Sequence, residues 1–192
     1  MFFSLSAITD SIVTVITQNN NVNALNRFGF NDGNLYQFHV AAEGFGALYR
    51  QKSEELDSRL SKQTLIFSEK SYELGELDNF INQLKDKNIK IYLIINPYQQ
   101  PYLDKIKQYE LSEQLTIWKQ AMKSVAAKHQ LTLFDFAISS DLVTNVVVPT
   151  SKNPDDSAFF WEPAHYRPAF GELILKTLST DECLQLCQKY SE

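Results

Sequence analysis

The residues with the clearest chemical potential lie near the C-terminal end of the chain, in the segment WEPAHYRP. Glu162 precedes His165 by three residues, and Pro163 and Pro168 restrict how far the segment can relax. A general-base histidine needs one ring nitrogen free for the proton it accepts and the other held by an acceptor that fixes the tautomer. We therefore predict that His165 is a catalytic base and that Glu162 orients it; the alternative is a structural hydrogen-bonded pair.

A base of this kind acts on a nucleophile within about 2.6 to 3.2 Å. The chain contains no Gly-Asp-Ser and no Gly-x-Ser-x-Gly. Ser68 and Ser71 follow an apolar run, but no glycine precedes either of them to allow a tight elbow, and Ser71 is better placed to cap a helix that begins near Tyr72. Asn96, just before Pro97, is a candidate oxyanion-hole residue, although the same position suits the end of a strand.

The other polar groups favour structural roles. His39 lies in an apolar-polar alternation and His129 ends a predicted helix, so we expect neither to be catalytic. Cys183 and Cys187 are four residues apart, a spacing that within a helix does not suit a disulfide, and no other ligand completes a metal site nearby. We therefore expect two free thiols, and we expect no metal and no cofactor.

Composition narrows the class of protein. The chain has 192 residues, of which 44% are hydrophobic, and this content supports one folded domain over residues 1–192. The net charge of -5, without a basic block, argues against nucleic acid as a partner. The longest apolar run, 91–95, is far shorter than the roughly 20 residues of a membrane span. The N-terminus has no Lys or Arg ahead of its apolar stretch, so we predict no signal peptide.

Hydrophobic periodicity predicts alternating strands and helices in the second two thirds of the chain. Strands are expected at 64–68, 89–96 and 131–136, with helices between them and a last helix beginning near Pro168. This pattern predicts an α/β fold with three α/β/α layers and a mainly parallel sheet, formed by residues 64–180. Residues 27–60 are expected to form an irregular or helical insertion, with a turn or hairpin at 27–40 and a helix at 45–60; another helix is expected at 6–18.

Three parallel strands are fewer than an open sheet of this type usually has. A buried-type strand left at an edge exposes unpaired backbone groups. We therefore expect the sheet to be incomplete at its N-terminal side, or its edge to be covered by a protein partner or a second copy of the chain.

The segment FFWEPAHYRPAFGELIL resembles the last block of the SGNH (GDSL-like) hydrolase superfamily. It is most similar to the envelope-associated branch, in which Asp-x-x-His-Tyr is followed by Gly and an apolar helix. The segments IKIYLIINPYQQPYLDKIKQYELSEQLTIWKQAM and LTLFDFA are similar to the strand, loop, helix and following strand of that branch. The resemblance implies a flavodoxin-like fold, an acyl-ester hydrolase or O-acyltransferase, a small-molecule or carbohydrate ester as substrate, and a location at the cell envelope.

Two departures from the family qualify what the resemblance implies. Glu162 stands where the family usually has Asp, and the Gly-Asp-Ser block is absent. The chain is therefore expected to be the C-terminal part of such an enzyme, inactive alone for lack of its serine. The alternative is a non-catalytic binding domain that keeps the fold, with Glu162 and His165 in a structural role.

Overall fold

The computed structural model describes residues 33–62, 71–144 and 150–191, and about 60% of these are helical. Seven α-helices occur in the described ranges: α1 (Asn34–Glu43), α2 (Phe45–Leu60), α3 (Tyr72–Asp86), α4 (Gln100–Gln108), α5 (Ser112–Lys128), α6 (Asp141–Thr144) and α7 (Pro168–Thr180). A short 3-10 helix covers Pro154–Asp156.

The strands are short and form two small sheets. Their bounds are β1 (Leu93–Ile95), β2 (Leu133–Asp135), β3 (Phe160–Glu162), β4 (His165–Tyr166) and β5 (Gln188–Tyr190). In the first sheet β2 lies between β1, to which it is parallel, and β5, to which it is antiparallel. In the second sheet β3 and β4 form an antiparallel hairpin.

The prediction of a three-layer α/β/α, flavodoxin-like fold with a mainly parallel sheet is wrong. The described residues are mostly helical, and their larger sheet has three strands of mixed direction. The apolar runs at 89–96 and 131–136 pair as strands over only three residues each, and Ile94 remains 38% exposed. A short apolar run rich in β-branched residues favours a strand but does not fix how many neighbours that strand finds.

Predictions for individual helices are confirmed where periodicity was strong. Helix α2 has the predicted bounds of 45–60, and α4 and α5 both lie between the apolar runs at 89–96 and 131–136, where helices were expected. The Ser71 hydroxyl accepts from the Leu74 amide at 3.4 Å, which confirms its role as the cap of α3. The predicted helix at 6–18, and the strand at 64–68 with Ser68, lie outside the described residues.

The prediction of a turn or hairpin at 27–40 is wrong over its described part, because α1 begins at Asn34. Gly33 has φ 76° and is the N-cap of this helix. A glycine with positive φ serves a hairpin turn and a helix boundary equally well, so the local sequence did not distinguish the two.

Two apolar clusters join the helices to the sheets. One contains buried aromatic residues of β2, β3 and α7, among them Phe134, Phe160 and Phe170. The other packs Trp118 and Met122 of α5 against Ile95 and Leu133. The clusters lie on β1, β2 and β3, so within the described residues the small sheets are held by packing against helices.

Polar contacts of buried side chains hold α5 against β2 and α3. Lys119 lies 2.7 Å from Asp135, which is 1% exposed, and also donates to the carbonyl of Ala137. At the C-terminal end of α5, His129 is buried and its Nε2 hydrogen-bonds Asp78 at 2.6 Å. The predicted position of His129 at the end of a helix is confirmed.

Within the described parts of the chain, no helix is both long enough and apolar enough to cross a bilayer.

The prediction of free thiols is wrong, because Cys183 and Cys187 form a disulfide. Helix α7 ends at Thr180, so the cysteines lie in a loop instead of on one helix face. Leu184 and Gln185, between them, have φ 42° and φ 68°, and this left-handed backbone brings the two Cα atoms to 5.0 Å. The bridge immediately precedes β5.

We predict that Gly33→Ala destabilises the fold by about 1 to 3 kcal/mol, since the residue has positive φ and is packed against the Trp161 ring. A Cβ at this position would lie 2.7 Å from Cζ2 of Trp161. Gly75, inside α3, provides a matched control because its Cβ would meet nothing within 4 Å. Gly75→Ala should stabilise by about 0.5 to 1 kcal/mol. Urea denaturation of both variants measures the difference, and equal effects would contradict the packing at Gly33.

Reduction of the disulfide should lower the free energy of unfolding by about 2 kcal/mol, the loop-entropy value for so short a closed loop. Urea denaturation with and without a dithiol reductant measures this, and alkylation of the denatured, unreduced protein should label neither cysteine. The double variant Cys183→Ala/Cys187→Ala is the control and should not respond to reductant. Two alkylated thiols without reduction would show that the bridge is absent.

Candidate active site

Glu162 and His165 come together because they are cross-strand neighbours at the end of a hairpin. Glu162 is the last residue of β3, His165 is the first of β4, and Pro163 and Ala164 form the turn between them. The two residues are paired in the strand register, which places their side chains on one face of the hairpin. The three-residue spacing in the sequence thus becomes a direct contact.

Within this pair the carboxylate is buried and the imidazole is open. Glu162 is 1% exposed, whereas the His165 side chain is 59% exposed. Glu162 Oε1 hydrogen-bonds His165 Nδ1, and Glu162 Oε2 accepts from the Ala164 amide at 3.0 Å. Among the described residues, His165 Nε2 has no hydrogen-bond partner. The pair therefore has the arrangement expected of an oriented base, with one nitrogen held and the other available.

Trp161, adjacent to Glu162, anchors the hairpin on its inner side. Its ring is 3% exposed and stacks with Tyr36 of α1, at 5.8 Å between ring centroids and 10° between planes. The guanidinium of Arg167 lies 4.1 Å from the centre of the same ring and donates to the carbonyls of Pro154 and Ser157. Tyr36 also lies 5.8 Å from the His165 imidazole, so it forms a wall of the site.

The hairpin turn is also held from α4. The backbone N–H of Gln99 donates to the backbone carbonyl of Pro163 at 2.9 Å. The Gln99 side chain is buried, and its Oε1 accepts from the Tyr49 hydroxyl of α2 at 2.5 Å. Gln99, at the start of α4, therefore contacts the turn directly, and Tyr49 of α2 is linked to the turn through Gln99.

The phenols near Glu162 are shifted in pKa. Burial, followed by the Glu162 charge and a smaller contribution from Glu55, raises the pKa of Tyr36 to about 12. Burial also raises the pKa of Tyr49 to about 12; its bond to Gln99 opposes the shift and the Glu162 charge adds to it. The pKa of Tyr102 is raised chiefly by burial. These phenols therefore remain protonated at neutral pH.

The structure groups some predicted site residues and not others. Glu162 and His165 are in contact, as expected, while Asn96 is an exposed residue after β1 with no hydrogen bond to the pair among the described residues. The oxyanion role of Asn96 stays a prediction. Sequence reasoning missed Tyr36, Tyr49 and Gln99, because no local pattern links them to the hairpin.

Within the described ranges, no three His, Cys, Asp or Glu side chains are grouped so as to hold a metal ion. The chemistry that the described site offers is proton transfer at an oriented imidazole.

No protein-family model, curated protein or solved structure matches this chain. The resemblance to SGNH hydrolases therefore stays a prediction, and the chemistry of the site is argued from its local geometry.

The raised pKa values of Tyr36 and Tyr49 predict a loss of stability in alkali. In the unfolded chain a phenol ionises near pH 10, whereas these two ionise at about 12 when folded. The unfolded state therefore releases protons first, so stability present below pH 10 is lost as the pH rises toward 12. Ultraviolet titration of phenolate should show a late phase that is reduced in Tyr36→Phe and Tyr49→Phe. Glu162→Gln, which removes the nearby charge, should move this phase to lower pH; a phase unaltered in all three variants would contradict the assignment.

Proposed function

We propose that Glu162 and His165 are the general-base pair of an acyl-ester hydrolase or O-acyltransferase. The observation that carries the proposal is the contrast within the pair. A carboxylate that is 1% exposed holds Nδ1 of an imidazole that is 59% exposed. A purely structural hydrogen bond does not require the ring to face solvent.

The roles follow from the hydrogen bonds. The bond to Glu162 at Nδ1 favours the tautomer in which Nε2 carries a lone pair, so that Nε2 accepts a proton from a hydroxyl or from water. The buried carboxylate then stabilises the imidazolium that forms, and the ring returns the proton to the leaving alcohol. Glu162 keeps its place because the Ala164 amide binds its second oxygen.

Two nucleophiles are compatible with the pair, a serine hydroxyl and water. None of the described hydroxyl groups hydrogen-bonds His165 Nε2. In the proposed reaction the nucleophile is a serine hydroxyl supplied from outside these 192 residues. Without such a hydroxyl the pair still activates water, which is slower because covalent catalysis is lost.

The resemblance to SGNH hydrolases supplies the substrate class, an acyl ester of a small molecule or a carbohydrate. It enters the proposal only through the local Glu-x-x-His hairpin, since the fold expected from it is not observed.

The alternative of a structural pair in a non-catalytic binding domain predicts an imidazole sealed beneath Trp161 and Tyr166. Trp161 instead packs against Tyr36 and Arg167, and the imidazole lies at the surface. This exposure supports the acid–base role over the structural one.

Without a serine the chain alone lacks covalent catalysis, so we expect at most slow hydrolysis of p-nitrophenyl acetate, and this residual activity should depend on His165. His165→Ala should reduce the rate above buffer by about tenfold or more, since it removes the base, and Glu162→Gln should reduce it through loss of the orienting charge. His39→Ala is the matched control, because His39 lies on α1 and has no carboxylate partner among the described residues.

A stopped-flow experiment separates the two nucleophiles. A burst of one equivalent of nitrophenol indicates a covalent acyl-enzyme, and its absence indicates attack by water. Equal rates in the wild type and in His165→Ala would contradict the proposal.

A further inference from the structure

We propose that Tyr49 and Gln99 form a positioning pair, here called the Tyr49–Gln99 brace, that holds His165 in its base geometry. As a statement about catalysis, this inference rests on the proposed function. As a statement about which ring nitrogen carries the proton, it can be tested without any turnover.

The brace contacts the site at its turn. The backbone N–H of Gln99 donates at 2.9 Å to the backbone carbonyl of Pro163, the residue between Glu162 and Ala164. Because Ala164 in turn donates to Glu162 Oε2 and precedes His165, a movement of this peptide displaces both members of the pair. Displacements of about 1 Å at such a site are enough to impair catalysis strongly.

The Gln99 side chain hydrogen-bonds Tyr49 and does not cap the helix that Gln99 begins. Gln99 is the N-cap of α4, and its carbonyl accepts from the Tyr102 amide at 2.9 Å, but its side chain makes no capping bond. Its Oε1 instead accepts from the Tyr49 hydroxyl at 2.5 Å, across 50 residues of sequence. Gln99 is 1% exposed, so the loss of this donor would leave a buried acceptor less well satisfied.

Tyr49 is itself fixed on its other side. Its ring packs edge-on against Phe45 at 6.5 Å, and both belong to an apolar cluster with Val40 and Leu48. Because burial and the charge of Glu162 keep the phenol protonated, it remains a donor at neutral pH. Tyr49 therefore packs against the apolar cluster of α1 and α2 and hydrogen-bonds Gln99, and Gln99 in turn hydrogen-bonds the turn.

The chain contains a matched control for this bond. Tyr109, the C-cap of α4, donates through its hydroxyl to Asp57 of α2 at 2.9 Å. This bond joins the same two helices near the other end of α4, and Lys105 also binds Asp57, at 2.6 Å. Tyr109→Phe thus removes the same chemical group from the same helix pair without touching the Gln99 contact to Pro163.

The test is a ¹⁵N measurement of the two ring nitrogens of His165 in wild type, Tyr49→Phe, Tyr109→Phe and Glu162→Gln. In wild type the neutral ring should carry its proton on Nδ1. Tyr49→Phe should lower the ratio of the Nδ1–H to the Nε2–H tautomer by roughly twofold or more, as Glu162→Gln does, because the acceptor at Nδ1 is displaced or lost. Tyr109→Phe should leave the ratio unchanged.

Hydrogen exchange at the Ala164 amide gives a second measurement on the same variants. Exchange should be faster in Tyr49→Phe and unchanged in Tyr109→Phe, with urea denaturation confirming that both variants are folded. If the tautomer ratio and the exchange rate are the same in the two Tyr variants, the brace is refuted.

Failure of the brace and failure of the proposed function give different results. If no sample hydrolyses an ester but Tyr49→Phe still changes the tautomer ratio, the proposed function fails and the brace stands. If His165-dependent hydrolysis is present but Tyr49→Phe leaves the tautomer ratio and the exchange rate unchanged, the function stands and the brace fails.

Discussion

The candidate site depends on the burial of one carboxylate, Glu162, beneath an exposed imidazole. A charged group removed from water is tolerated only when its oxygens are hydrogen-bonded. Glu162 meets this requirement with one bond to His165 and one to the Ala164 amide, both within four residues of chain. The residues of the hairpin turn therefore supply the hydrogen bonds that the buried carboxylate needs. The imidazole is the member of the pair that faces solvent.

The hairpin needs support from the rest of the fold, because the stability of a short isolated hairpin is marginal. On the inner side, Trp161 is packed among Gly33, Tyr36 and Arg167, which joins α1 and the segment after β4 to the hairpin. At the turn, the Gln99 amide binds the Pro163 carbonyl. Elements from across the described chain thus converge on one small sheet.

Because the hairpin is held by these contacts, the candidate site does not depend on the larger sheet. Strands β1 and β2 are three residues each, and helices pack against them through Trp118, Met122 and the Lys119–Asp135 ion pair. The site lies on the separate β3–β4 hairpin. The proposed base pair needs a rigid turn and buried anchors, and it does not need the parallel sheet that the apolar runs predicted.

The sequence by itself determined what depends on near neighbours. The spacing of Glu162 and His165 predicted their contact, and periodicity with a serine cap predicted α2, α3 and α7, because hairpin and helix contacts join residues three or four apart. Local predictions were wrong where the sequence allowed more than one backbone conformation. These were the turn predicted around Gly33 and the free thiols predicted at Cys183 and Cys187.

Only the tertiary structure decided the exposure of His165, the direction of β5 and the approach of Tyr49 and Gln99 to the turn. These features depend on contacts between residues tens of positions apart, and no local periodicity encodes which distant side chain will fill a given space.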